Sequence, residues 1–153
     1  MAQRLGIVLA AAAGALVLSQ AAVPGSKLKG PGVVRISDIQ VDYTRINVNS
    51  GVSSPGDMEI TRYQLYNKGV REKPIGRAQL VCVNIGQNFR QCSGTYLLPA
   101  GKLIVSGSLQ YRGLYDLAVT GGTGLYNNVR GTLTATRTSK RPPTELLVFR
   151  LNV

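Results

Sequence analysis

From Val34 to Val153 the sequence is a succession of short β-type runs, each cut by Gly, Pro, Asn or Ser. No segment of this stretch carries the 3.6-residue apolar period of an amphipathic helix. The runs are Val34–Val48, Met58–Tyr66, Ile75–Ile85, Gln91–Leu98, Lys102–Leu109, Leu114–Thr120, Leu125–Arg137 and Glu145–Val153. The first alternates at Ile36, Ile39, Val41, Tyr43 and Ile46, with one register break. The block Tyr115–Gly131, YDLAVTGGTGLYNNVRG, reads as a strand, a glycine turn and the start of another strand. At Gly121, Gly122 and Gly124 the backbone can take φ > 0 at little cost. An even count of antiparallel strands suits a closed barrel, which has no exposed edges. Eight strands enclose an interior that side chains fill or arrange around one small ligand. A β-sandwich would show the same residue patterning.

The chain's 153 residues suffice for one domain, expected over residues 34–153. Before it, Arg4 and the uncharged apolar run Leu5–Leu18 lead to Ser19-Gln20-Ala21, the pattern of a cleavable secretory leader over residues 1–21. The run is short for a membrane span, so no transmembrane segment is expected after cleavage, and the protein is expected to be secreted. Residues 22–33 are Pro/Gly-rich and read as a flexible lead-in. The formal charge is +11, with basic residues spread along the chain rather than clustered with aromatics. That distribution argues against nucleic acid as a partner and is compatible with attraction to anionic surfaces.

The two cysteines are Cys82 and Cys92. Export favours an oxidised pair. Pairing Ile85 with Phe89 in a hairpin would set Cys82 opposite Cys92, where Cβ atoms come close enough for a disulfide worth ~2–3 kcal/mol. A free catalytic thiol is the alternative. The chain has no histidine, which removes Ser-His-Asp and Cys-His nucleophile systems and histidine metal sites. No calcium loop or P-loop is present, so neither a metal nor a cofactor is expected. Catalysis, if any, falls to Asp, Glu, Tyr, Arg or Lys.

Four segments, in order, resemble the allene oxide cyclase and dirigent superfamily. Gly56-Asp57 followed by Leu65-Tyr66 is similar to the cyclases' GD…LYD element. Ile75-Gly76-Arg77-Ala78-Gln79 resembles the (I/V)GRAQ run of dirigent proteins. Leu117–Gly122 resembles the cyclase turn, and Gly121–Leu125 with Val129-Arg130-Gly131 resembles the dirigent GGTGxF…ARG run. The resemblance covers roughly residues 56–153. It implies an eight-stranded antiparallel barrel of calycin type, a small hydrophobic ligand or reactive intermediate as partner, and members that are often dimers or trimers.

For the site, the resemblance places Cys82 at the cavity cysteine of the cyclases and Tyr63 at their water-holding Asn; Asp42 is the nearest acid to their cation-stabilising Glu. Asp116 falls at the dirigent acid and Arg130 at the Arg of ARG. Asp116, Arg130 and Tyr63 are thus the catalytic candidates, provided the first two face inward; strand alternation permits this without requiring it. Asp42, Tyr43, Asn84 and Tyr96 are candidate ligand-binding residues. The expected function is a secreted barrel that binds a small hydrophobic molecule and steers its cyclisation or isomerisation. A non-catalytic carrier and a cell-surface or cell-wall interaction protein are the alternatives. The state of the barrel interior separates them: a polar-lined pocket, an apolar pocket or a solid core.

Overall fold

The computed structural model describes residues 32–49, 53–67, 73–110 and 113–152. The expected leader and most of the expected lead-in lie outside them. Eight strands follow one another: β1 (Val33–Ile46), β2 (Met58–Asn67), β3 (Gly76–Gly86), β4 (Phe89–Leu98), β5 (Gly101–Gln110), β6 (Leu114–Gly122), β7 (Arg130–Lys140) and β8 (Pro143–Asn152). Each pairs antiparallel with its sequence neighbours, and β1 pairs with β8 to close the barrel. The sandwich alternative is thereby excluded.

Three details differ from the sequence reading, each for a local reason. Residues 125–129 do not extend β7: Gly124–Tyr126 forms a 3-10 turn. Leu125 N–H donates to Ala100 O in that turn, so it serves the barrel end rather than the ladder. Of the three turn glycines Gly121, Gly122 and Gly124, Gly124 takes positive φ (64°). Gly122 is needed for space instead: a Cβ there would meet Tyr126 O and Lys102 O. In the β3–β4 hairpin Gly86, not Ile85, pairs with Phe89. Gln87 and Asn88 form the two-residue turn with φ of 50° and 63°, the left-handed pair that suits a tight hairpin. A bulge at Ile85 absorbs the offset, so Cys82 still faces Cys92, and the two form a disulfide.

The connections β1–β2, β3–β4, β5–β6 and β7–β8 share one end of the barrel, here the open end. Toward the other end the interior is solid. Leu65, Leu103, Val105, Leu117, Val119, Leu133, Leu147 and Phe149 are buried to within 2%. Each such side chain contributes roughly 1.5–3 kcal/mol on leaving water. Tyr96 packs among them and meets Phe149 edge-on, with ring centroids 5.2 Å apart.

Candidate functional site

Above this packed half, the open end holds a cavity of about 320 Å³ lined by Tyr43, Thr61, Tyr63, Leu80, Cys82, Leu109, Tyr115, Arg90, Arg137, Gln40 and Glu59. A bulge in β1 determines which side chains reach it. Gln40 pairs with Tyr63, but the next partners are Asp42 and Arg62, so Val41 is the extra residue. The inserted residue reverses the alternation. Ile36, Asp38 and Gln40 face inward before it, and Tyr43 faces the cavity after it. Asp42 is turned to the outer wall, where it pairs with Arg62 at 3.0 Å. It does not enter the cavity, contrary to its expected role in binding ligand.

Asp116 and Arg130 are outward as well. The inward positions of β6 are Tyr115, Leu117 and Val119, all buried, and Asp116 between them is exposed. Arg130 is exposed and donates to Val129 O. The two stand well apart along the ladder: Asp116 pairs with Thr134, and Arg130 with Asn152. Neither takes part in a cavity site.

Of the other candidates, Tyr63 and Tyr43 line the cavity. Tyr96 is buried in the packed floor beneath it. Asn84 stands at the rim, donating to Ser53 Oγ and accepting from Gly86 N–H. It faces a separate polar groove of about 500 Å³ with Ser53, Gln87, Asn88 and Gln110. Cys82 contributes to the cavity wall as a disulfide, so the cavity has no thiolate nucleophile.

Behind Tyr63, Tyr115 and Arg137 lies a buried acid pair that the sequence reading missed. Asp38 on β1 and Glu145 on β8 are register partners, 1% and 4% exposed. Glu145 N–H donates to Asp38 Oδ1 at 3.0 Å. Tyr115 O–H donates to Glu145 Oε2 at 2.6 Å, and Arg137 Nη2 lies 3.9 Å from Glu145 Oε1. Asp38 Oδ2 has no hydrogen-bond partner among the described residues.

Burial, reinforced by the adjacent Glu145 charge, pushes the Asp38 carboxyl up to about 8. Asp38 is therefore largely neutral at pH 7. Burial also raises Glu145, against the opposing pull of Tyr115 and Arg137. The Tyr63, Tyr96 and Tyr115 phenols are all raised, first by burial and then by neighbouring charges, and stay protonated. Two carboxyls with different partners, one neutral and one held by a phenol and a guanidinium, form an acid–base arrangement of the kind used in proton transfer.

A second ion pair crosses the rim, with Arg90 Nη1 donating to Glu59 Oε2 at 2.6 Å. Burial and the neighbouring Glu59 charge raise the Tyr43 phenol. Asp57, from the GD element, is structural. It accepts from Arg45, from the backbone of Val48 and Ser54, and from Ser54 Oγ. These donors hold its carboxyl well below the usual range and link Val48 and Ser54 to the start of β2.

The missed residues left a faint trace in the sequence. In ELLVFRLNV the parity that puts Arg150 outside puts Glu145, Leu147, Phe149 and Leu151 inside. Likewise Asp38 shares parity with Ile36.

No protein-family model and no curated protein matches the sequence. Solved structures do match the fold. A pyocyanin demethylase superposes with a TM-score of 0.68, at 22% identity over 78% of this chain and 99% of its own. The pterocarpan synthase dirigent protein PsPTS1 gives 0.62 at 16% identity over 78% and 91%. AbnU, an exo-specific intermolecular Diels-Alderase, gives 0.63 at 15% identity over 76% and 96%. The chain thus has the barrel fold of dirigent proteins, as its four sequence segments implied.

Proposed function

We propose that the protein binds a small, largely apolar organic molecule in the open-end cavity and steers its cyclisation or isomerisation. The observation that carries this reading is the cavity's composition. Tyr43, Tyr63, Leu80, Leu109 and Tyr115 supply apolar and aromatic walls, while Arg137 and the Tyr115 hydroxyl couple the wall to Glu145. Binding in a cavity of this kind fixes one conformer of a flexible substrate, the main source of rate in intramolecular ring closure. A substrate hydroxyl there could donate to the Tyr115 oxygen, whose own proton goes to Glu145, and a substrate oxygen beside Arg137 would meet a cation placed to stabilise charge as it develops. The neighbouring folds include a dirigent protein and a Diels-Alderase, which supports a steering role. The disulfide supports the secreted location expected of the chain. A homodimer or trimer remains part of this reading.

Competition for N-phenyl-1-naphthylamine, an apolar fluorescent probe, distinguishes this reading from a purely apolar carrier. In the wild type, 2-naphthol should displace the probe at lower concentration than naphthalene does. Tyr115→Phe and Arg137→Gln should each remove that preference while leaving naphthalene unaffected. Equal displacement by the two competitors in the wild type would favour the carrier.

A further inference from the structure

The open end of the barrel is ringed by exposed apolar side chains. Ile46 ends β1 and Val48 follows it, Ile85 is next to last in β3, Phe89 starts β4 and Leu114 starts β6, with exposures of 50, 63, 54, 40 and 58%. They are five of the ten large exposed apolar side chains among the described residues. Single exposed apolar side chains are ordinary, but five at one end of the barrel concentrate there half of the large apolar side chains that the described residues expose. The remaining arc, at the β7–β8 turn, presents the exposed cations Lys140 and Arg141. The exposed carboxylates among the described residues, Asp42 and Asp116, are both on the outer wall, and Asp42 is engaged by Arg62.

A second copy is a poor occupant for this collar. Mouth-to-mouth contact would bring together two chains of charge +11, each carrying Lys140 and Arg141 at the rim. An anionic bilayer complements both features: apolar tips enter the interface and cations meet lipid phosphates.

We propose that the open end docks on an anionic lipid bilayer, with Ile85, Phe89 and Leu114 entering the surface and Lys140 and Arg141 meeting the headgroups. The cavity then opens toward the acyl region, and an apolar molecule can pass from bilayer to barrel without crossing water. The docking surface stands independently of any reaction in the cavity, because its test reads insertion rather than turnover.

The chain contains no tryptophan, so one introduced indole reports locally in the full-length protein. Phe89→Trp places it in the collar, and Leu125→Trp places it at the opposite end, the end where β1 begins. With vesicles of equal parts phosphatidylglycerol and phosphatidylcholine, Phe89→Trp emission should shift to the blue and be quenched by acyl-brominated lipid. Leu125→Trp should show neither effect. Adding Lys140→Glu and Arg141→Glu to Phe89→Trp should abolish the shift, as should phosphatidylcholine alone. If Phe89→Trp does not fold, Ile85→Trp gives the same readout. The proposal is overturned by an unshifted collar indole or by equal shifts at both ends. It is overturned too by a shift that grows with protein concentration without vesicles, which would assign the collar to a second copy.

Discussion

Asp38 and Asp57 make opposite contributions to the pH dependence of stability. Asp38 titrates near 8 in the folded protein against an ordinary 3.8. The folded state therefore holds a proton that the unfolded chain has released. Its contribution is complete below about pH 4 and is lost as pH rises toward 8, with a limiting slope of about 1.4 kcal/mol per pH unit. Asp57, held low by its donors, contributes above the ordinary carboxylate pKa and loses that contribution as pH falls through its folded value. We predict that the urea midpoint decreases from pH 5 to pH 8. Asp38→Asn, which keeps the acceptor for Glu145 N–H, should flatten that decline; an unchanged slope in the variant would show that Asp38 is not the titrating group. Asp57→Ala should lower the midpoint at pH 7 while weakening the loss seen below pH 4. Neither acid announced its role in the sequence. The GD element flagged Asp57 for the resemblance alone, and Asp38 lies between two isoleucines of opposite facing.

The β-bulge and the turns are where the sequence was least legible. The Val34–Val48 run showed a register break, but not its position. A one-residue uncertainty exchanges every inward and outward side chain, so Asp42 and Tyr43 could not be told apart. The same parity ambiguity let Asp116 stand for its inward neighbour Tyr115. Side chains set the disulfide more firmly, because cross-strand proximity survives the bulge at Ile85. Replacing both Cys82 and Cys92 with Ala should cost ~2–3 kcal/mol in urea unfolding, from the short loop released in the denatured chain. At the β6 end, Gly122→Ala would force a methyl group against Tyr126 O and Lys102 O. A destabilisation of at least ~1–3 kcal/mol is expected there. Gly113→Ala, with no atom of the other described residues within 4 Å of the added Cβ, should be close to neutral by the same assay.

At the scale of the whole molecule, strand count could be read because turn residues punctuate the chain at nearly every reversal, whereas closure was favoured over a sandwich only through the family resemblance. The division into a solid half and a hollow half could not. It depends on which side chains meet across the barrel: Leu103, Leu117, Leu133 and Leu147 close one end, whereas tyrosines and arginines leave space at the other. The central claim is that function lies in that hollow half and not on the outer wall. It is tested most directly by fluorescence titration with N-phenyl-1-naphthylamine of three proteins: wild type, Leu109→Trp and the double variant Asp116→Ala/Arg130→Ala. The account predicts saturable one-to-one binding in the wild type, the same affinity in the outer-wall variant, and at least ~10-fold weaker binding when the Leu109→Trp indole occupies the cavity. Unchanged binding in Leu109→Trp, or its loss in the outer-wall variant, would contradict it.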